Sequence, residues 1–272
     1  LVEPLVRRAL EEDFGRAGDV TAGLLRREER LKARFVARSG GVIHGLQPAR
    51  LAATLVDKEL TFTPLVADGA KVAPRTAIAT IEGPAPSVLA AERTALNFLT
   101  HLSGVATLTR AYVDAIAGTR AQIAATRKTL PGLRIVQKAA VIAGGALPHR
   151  YGLDDAVLIK DNHIAACGGI RAAIERARAR APHTSRVECE VDGLAGLDEA
   201  IAAGADVVLL DNMSDADVAE AVRRAKGKAL LEASGGITLE RIATLSAIGV
   251  DRISVGALTH SVRAADIGLD FV

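Results

Sequence analysis

The chain has 272 residues, with 34 Lys plus Arg against 32 Asp plus Glu, a formal net charge of +2. That balance excludes a basic nucleic-acid scaffold and an acidic solvating tail, and an aromatic content of 3% excludes a base-stacking surface. With 49% hydrophobic residues the core must be built from Ala, Val, Ile and Leu, and the length suits two small domains or one barrel of about 250 residues.

In chain order, a helical pattern around Leu5 and Leu10 comes first. Extended runs at Ala33 to Ala37 and Thr76 to Ile81 follow, punctuated by Gly40-Gly41, Asp68-Gly69 and Gly83-Pro84. This reads as an α+β domain. Asp68 to Val72 followed by Thr76 to Gly83 has the rhythm of a biotinyl or lipoyl carrier. Met213 is the only methionine, however, so Met-Lys-Met is absent and Lys71 is expected in a structural hairpin. From Ala91 to Ile116 there is no Pro, and Leu96, Leu99, Leu102, Val105 and Leu108 predict one long helix or a broken pair.

Six apolar runs then alternate with amphipathic segments: Ala121 to Ala125, Ala156 to Ile159, Val187 to Val191, Val207 to Leu210, Ala229 to Leu231 and Arg252 to Val255. Helices are expected at Leu194 to Ala203, Asp215 to Ala225 and Leu239 to Ile248, with Gly204, Gly227 and Gly249 as stops. Strand followed by helix, repeated, predicts parallel α/β structure, as a barrel or an open sheet. Cys167 and Cys189 fit neither a zinc site nor a disulfide framework. With no signal-like start and no long apolar run, the expectation is a cytoplasmic protein without membrane or nucleic-acid partners.

Polar residues fall where these runs end. Thr126-Arg127-Lys128-Thr129 follows the first and Lys160-Asp161-Asn162-His163 the second. Glu188 and Glu190 share one face of the third, and Asp211-Asn212 closes the fourth. Glu232, Ser234, Gly235 and Gly236 close the fifth, and Ser254-Val255-Gly256 the sixth. In α/β barrels, carboxyl ends of strands build the active site, and glycine-rich loops after the last two strands bind phosphate. Arg93, Arg127, Lys128, His149, Arg150 and Lys160 form a cationic set suited to a polyanion. Glu190 and Asp211 beside them suit ribose hydroxyls or a divalent ion. No Gly-x-x-x-x-Gly-Lys-Ser/Thr is present, which argues against a P-loop hydrolase.

The segments Glu92 to Asn97, Thr126 to Thr129, His149-Arg150, Leu158 to His163, Glu188 to Val191, Leu210 to Met213, Glu232 to Gly236 and Ser254 to Gly256 together resemble the quinolinate phosphoribosyltransferase family, of type II. Glu12-Asp13 and Gly18 to Thr21 extend the likeness over nearly the whole chain; Cys189, between the two glutamates, departs from an expected aliphatic residue. The resemblance implies an N-terminal α/β sandwich over residues 1–102 and an open seven-stranded α/β barrel over 103–262. A C-terminal segment, 263–272, is expected to return to the N-terminal domain.

It implies, too, transfer from phosphoribosyl pyrophosphate (PRPP) to quinolinate with Mg²⁺, giving nicotinate mononucleotide, pyrophosphate and CO₂ in NAD synthesis. The implied assembly is a homodimer with Arg93 reaching into the partner's site, higher oligomers being left open. Carried over, Arg127, His149, Arg150 and Lys160 would hold the quinolinate carboxylates, Thr126 would belong to the substrate-binding set, and Lys128 would meet the pyrophosphate. Glu190 and Asp211 would contact ribose and metal. Ser234, Gly235, Gly236, Ser254, Val255 and Gly256 would cradle the 5′-phosphate. The catalytic set is Lys128, Glu190 and Asp211. Three rivals are weaker: a paralogue acting on another base or anion, an indole-glycerol-phosphate-synthase-like barrel, which leaves the first hundred residues unexplained, and a carrier module, which lacks its attachment motif.

Overall fold

The computed structural model describes all 272 residues. It divides into two compact units: residues 1–110 with 129–145 and 257–272, and residues 111–128 with 146–256. No helix is long and apolar enough to cross a membrane.

The first unit begins with α1 (Glu3–Phe14), which turns Val6 and Leu10 inward. Strand β1 (Arg30–Ala37), β2 (Gly41–Val42), α2 (Leu46–Val56), β3 (Thr61–Pro64), β4 (Lys71–Val72) and β5 (Thr76–Pro84) follow. With β12 (Ile267–Phe271), strands β1, β3 and β5 form an antiparallel sheet in the order β12-β1-β5-β3. Its buried face carries Phe35 and Phe62, whose rings lie 5.5 Å apart at 48°, a tilted pair. The alternation at Ala33, Phe35 and Ala37 is that of a half-buried strand. Lys71 does not sit in a hairpin with the following strand. It pairs instead with Val42, in a two-stranded ribbon of β2 and β4. The corner at Pro74 and Arg75, where Arg75 takes φ 68° and donates its N–H to the Ala37 carbonyl, sends β5 onto β1.

Helix α3 (Ala85–Ala115) is one unbroken element of 31 residues, about 46 Å long at 1.5 Å per residue. Its buried stripe is Ala91, Ala95, Leu99, Leu102, Val105 and Ala106. Gly104 interrupts that stripe for a reason: a Cβ there would lie 2.2 Å from the Arg263 carbonyl oxygen. A glycine inside a helix costs about 1 kcal/mol against alanine, and here it lets the C-terminal segment cross the helix. Helix α4 (Arg134–Ala143) also belongs to this unit, and no expectation had been formed for it. Its fully buried Gln137 accepts from the Leu130 N–H at 3.0 Å and donates to the Thr259 carbonyl at 2.8 Å.

The second unit contains six strands: β6 (Gln122–Ala124), β7 (Val157–Ile159), β8 (Val187–Val191), β9 (Val207–Asp211), β10 (Leu230–Ser234) and β11 (Arg252–Ser254). All six expected runs are present. The helices between them are α5 (Asp161–Cys167), α6 (Ile170–Arg180), α7 (Leu194–Ala202), α8 (Asp215–Ala225) and α9 (Leu239–Ile248). A short α10 (Ala257–His260) then leads back into the first unit. The strands are parallel, in the order β6-β11-β10-β9-β8-β7. A single bridge from Leu147 to Ala124 adds a seventh position beside β6, and the sheet stays open between that edge and β7. Ser214 and Thr238 cap α8 and α9 by accepting the N–H groups of Asp217 and Arg241. The result is the expected architecture: an antiparallel-sheet α/β domain and an open parallel α/β barrel.

Candidate active site

Because the six strands run parallel and in register, their carboxyl ends form one face of the second unit. β6 delivers Thr126, Arg127 and Lys128 there, and Thr126 Oγ1 accepts the Lys128 N–H at 3.0 Å, tightening the turn. β7 delivers Lys160, β8 Glu190, β9 Asp211, β10 Ser234 and β11 Ser254. Arg127 and Lys160 follow strands at opposite ends of the sheet order, yet with Arg150 they line one cavity of about 670 Å³. Curvature of the sheet therefore gathers these three cations, in a space that Arg176, Arg180, Asp154 and Asp155 also line. Burial, with the charge of Arg127 next, pushes the Arg150 guanidinium pKa down, against the opposing pull of Glu188 and Asp155. Like charges held together in this way can be relieved by an anion.

Lys160 Nζ is ion-paired with Glu190 Oε2. An incoming carboxylate can compete for that ammonium and leave Glu190 to other partners. Glu190 and Asp211 also line a neighbouring cavity of about 370 Å³, with Asp161 and Asp192. Four carboxylates line this space with hard oxygen donors, but no three of them converge closely enough to close on an ion by themselves.

The loops after β9 and β10 lock together. Asn212, at φ 54°, donates its backbone N–H to the Ser234 carbonyl at 3.0 Å and its Nδ2 to Asp211 Oδ2 at 2.9 Å. Gly235 sits against it at φ 84°, where a Cβ would fall 2.2 Å from Asn212 Oδ1. From α9, Arg241 donates to Asp215 Oδ1 at 2.9 Å, to the Met213 carbonyl at 2.8 Å and to the Gly235 carbonyl at 3.3 Å. Gly235 is half-buried and Gly236 exposed. In the next loop Ser254 and Val255 are buried, the Val255 N–H donating to the Ala124 carbonyl at 2.9 Å, while Gly256 is half-buried.

His149 follows the Leu147 bridge with its backbone at φ 54°. Its Nδ1 accepts the Arg150 N–H at 2.7 Å, and its Nε2 faces inward, 3.3 Å from Glu232 Oε1 and 3.6 Å from Glu188 Oε2. Burial first, then Glu232, pushes the Glu188 carboxyl up to about 7, while His149 and Arg150 oppose the shift. Neighbouring Cys189 is fully buried, and burial with Glu190 pushes its thiol up to about 11, so it is no nucleophile at neutral pH.

In the first unit, Arg93 projects from α3 as an exposed residue, one position before buried Thr94. Thr94, with Glu12, Asp13, Asn97 and His101, lines a separate cavity of about 260 Å³.

The matching family models are the C-terminal domain of quinolinate phosphoribosyl transferase over residues 105–270 and the N-terminal domain over residues 19–103. A nicotinate-nucleotide pyrophosphorylase [carboxylating] of Mycobacterium leprae is 45% identical over 97% of this chain and 95% of its own length. A probable enzyme of the same name from Bacillus subtilis is 40% identical over 99% and 93%. Among solved structures, the nicotinate-nucleotide pyrophosphorylase of Francisella tularensis superposes with a TM-score of 0.94 at 41% identity, over 100% of this chain and 96% of that one. The chain belongs to the quinolinate phosphoribosyl transferase family.

The site also contains residues whose part in it the sequence does not display. Asn212 was visible only as the second half of an Asp-Asn pair. Its left-handed backbone, an Asn speciality, is the signal that could have marked it. Arg241 carries no signal in the sequence, and only the fold shows that it staples two loops. Glu188 and Glu232 were noticed at strand ends, but their meeting around His149 follows from curvature of the sheet, which the linear sequence does not display.

Proposed function

We infer that the chain transfers the phosphoribosyl group of PRPP to the ring nitrogen of quinolinate and releases pyrophosphate and CO₂, making nicotinate mononucleotide in de novo NAD synthesis. The single observation that carries the site assignment is the cavity shared by Arg127, Arg150 and Lys160, three cations gathered for a dicarboxylate. Thr126 and His149 border them. Lys128 meets the pyrophosphate. Glu190 and Asp211 face the ribose hydroxyls, and Ser234, Gly235, Gly236, Ser254, Val255 and Gly256 form the cradle of the 5′-phosphate, Val255 by shape because its N–H is engaged.

The pyridine nitrogen attacks the anomeric carbon as the bond to pyrophosphate breaks, so positive charge develops on the sugar while negative charge leaves it. Glu190 and Asp211 lie where they stabilise the first, and Lys128 neutralises the second. Glu190 and Asp211 would help hold a Mg²⁺ ion bound with PRPP, which would supply further neutralisation of the leaving group. The positive charge of the new pyridinium then stabilises the electron pair left on carbon 2 as its carboxylate departs as CO₂, and that pair takes a proton from solvent. Arg127, Arg150 and Lys160 hold the ring through its carboxylates, and this alignment is the chain's main contribution.

The working unit in this reading is a homodimer in which Arg93 completes the partner's site. The test is incubation with PRPP, Mg²⁺ and either quinolinate or nicotinate, with CO₂ and mononucleotide measured. Product from quinolinate only is expected; product from nicotinate only, or from neither, refutes the reading.

A further inference from the structure

The carboxylates of Glu188 and Glu232 lie inside the barrel, below the strand ends, on the inward faces of β8 and β10. None of the chemistry above uses them. Two buried carboxylates beside each other are unfavourable unless something is held between them, and each has one oxygen, Oε1, without a hydrogen-bond partner. What lies between them is the His149 ring, with Nε2 at 3.3 Å from one and 3.6 Å from the other.

A metal ion is one occupant for such a trio, since the three ligand atoms lie within 4.8 Å of one another. The imidazole argues against it. Nδ1 accepts the Arg150 N–H at 2.7 Å, so Nδ1 is unprotonated and Nε2 carries the proton. A metal on Nε2 would transfer that proton to Nδ1, aiming two N–H groups at each other. Nε2–H toward two carboxylates, through charge contacts with Glu232 Oε1 and Glu188 Oε2 rather than hydrogen bonds, leaves the Nδ1 bond to Arg150 intact.

The same ring therefore clamps two things: the carboxylates through Nε2 and the backbone of Arg150 through Nδ1. His149 takes a left-handed backbone, φ 54°, which costs a non-glycine residue on the order of 1 kcal/mol or more and must be held by its surroundings. Residue 150 is the next in the chain, and its guanidinium lines the cavity with Arg127 and Lys160. Resting on the functional reading above, we propose that Glu188 and Glu232 are positioning residues that act through His149 to fix the Arg150 guanidinium for the quinolinate carboxylates. They touch neither substrate nor leaving group.

The test is a mutant cycle on the full-length protein, with KM for both substrates, kcat and quinolinate Kd by calorimetry. Glu232→Gln keeps the side-chain volume and weakens the hold on Nε2–H. It should raise quinolinate KM and Kd about tenfold and leave PRPP KM within twofold. In an Arg150→Ala background the same change should move quinolinate KM less than twofold, because the residue being positioned is gone. Glu188→Gln tests the other arm and serves if Glu232→Gln does not fold. The proposal is overturned if folded variants keep wild-type quinolinate KM, if their effect persists undiminished without Arg150, if both KM values rise together, or if neither variant folds. Wild-type enzyme is assayed first with quinolinate. No product there refutes the functional reading and the positioning role with it, whereas variants matching an active wild type refute the positioning role alone.

Discussion

Replacing Gly235 by alanine separates two costs that the structure makes distinct. Its φ of +84° is left-handed, which costs an L-residue about 1–2 kcal/mol. The new Cβ would also fall 2.2 Å from Asn212 Oδ1 and 2.9 Å from Asn212 N, so the Asn212 side chain must rotate and its backbone must give way. Rotation breaks the Asn212 to Asp211 bond, worth about 1 kcal/mol. The sum is about 2–3 kcal/mol, a fall in Tm of roughly 5–10 °C for a chain of this size. Gly236 is the internal control: its φ is +59°, but an added Cβ meets nothing within 4 Å, so Gly236→Ala incurs only the backbone cost. Thermal melts and PRPP kinetics of both variants are the assay. Gly235→Ala should melt lower than Gly236→Ala and raise PRPP KM about tenfold more, while quinolinate Kd stays near wild type. Adding Asn212→Ala should recover part of the lost Tm. Equal Tm and equal PRPP KM for the two alanine variants would refute the reasoning that Gly235 is required by its contact with Asn212.

Arg127→Ala removes about two charge-assisted hydrogen bonds, together about 3 kcal/mol, so kcat/KM for quinolinate should fall roughly 150-fold; rates near wild type would discard the carboxylate assignment. Arg93→Ala and Lys128→Ala should each be inactive alone. Mixed in equal amounts with subunit exchange they should regain about a quarter of wild-type activity, since half the dimers are hybrids with one intact site, and no recovery would count against a site shared between subunits. In the first unit, Asp57 accepts the Glu59 N–H at 3.0 Å, the Ser87 hydroxyl at 2.7 Å and an Arg27 N–H at 2.9 Å, which together hold its carboxyl down at about 2. The folded value lies below the unfolded one, near 3.8, so its stabilisation is present above pH 4 and lost as pH falls toward 2. Asp57→Asn should therefore melt several degrees below wild type at pH 7 and alongside it at pH 2; a gap unchanged with pH would contradict this.

The six strands were legible because each is a short apolar run closed by polar residues, and the caps at Ser214, Thr238 and Gly249 are local chemistry. The seventh was not, because Leu147 contributes one bridge between a Gly-Gly pair and Pro148, with no run to detect. Helix α4 escaped for a different reason: it interrupts the strand-helix alternation and packs in the first unit, which no local pattern announces. The charged residues at strand ends were visible, and their depth was not. Glu188 and Glu190 share a face by strand periodicity, yet only Glu190 is at the mouth, while Glu188 is buried one layer below.

The strand β12 pairs with β1 across more than two hundred residues, Ala33 opposite Phe271 and Ala37 opposite Ile267. During synthesis, then, the antiparallel sheet waits with an open edge while nearly all of the second unit, which is almost continuous in sequence, leaves the ribosome. The first unit is begun first and finished last. Until Ile267 to Phe271 arrive, β1 presents unpaired N–H and C=O groups, a template for pairing with another nascent chain. Arg34 and Arg38 stand at that edge, the latter joined to Asp270 once the strand docks, and charges at an open edge disfavour pairing with a neighbour.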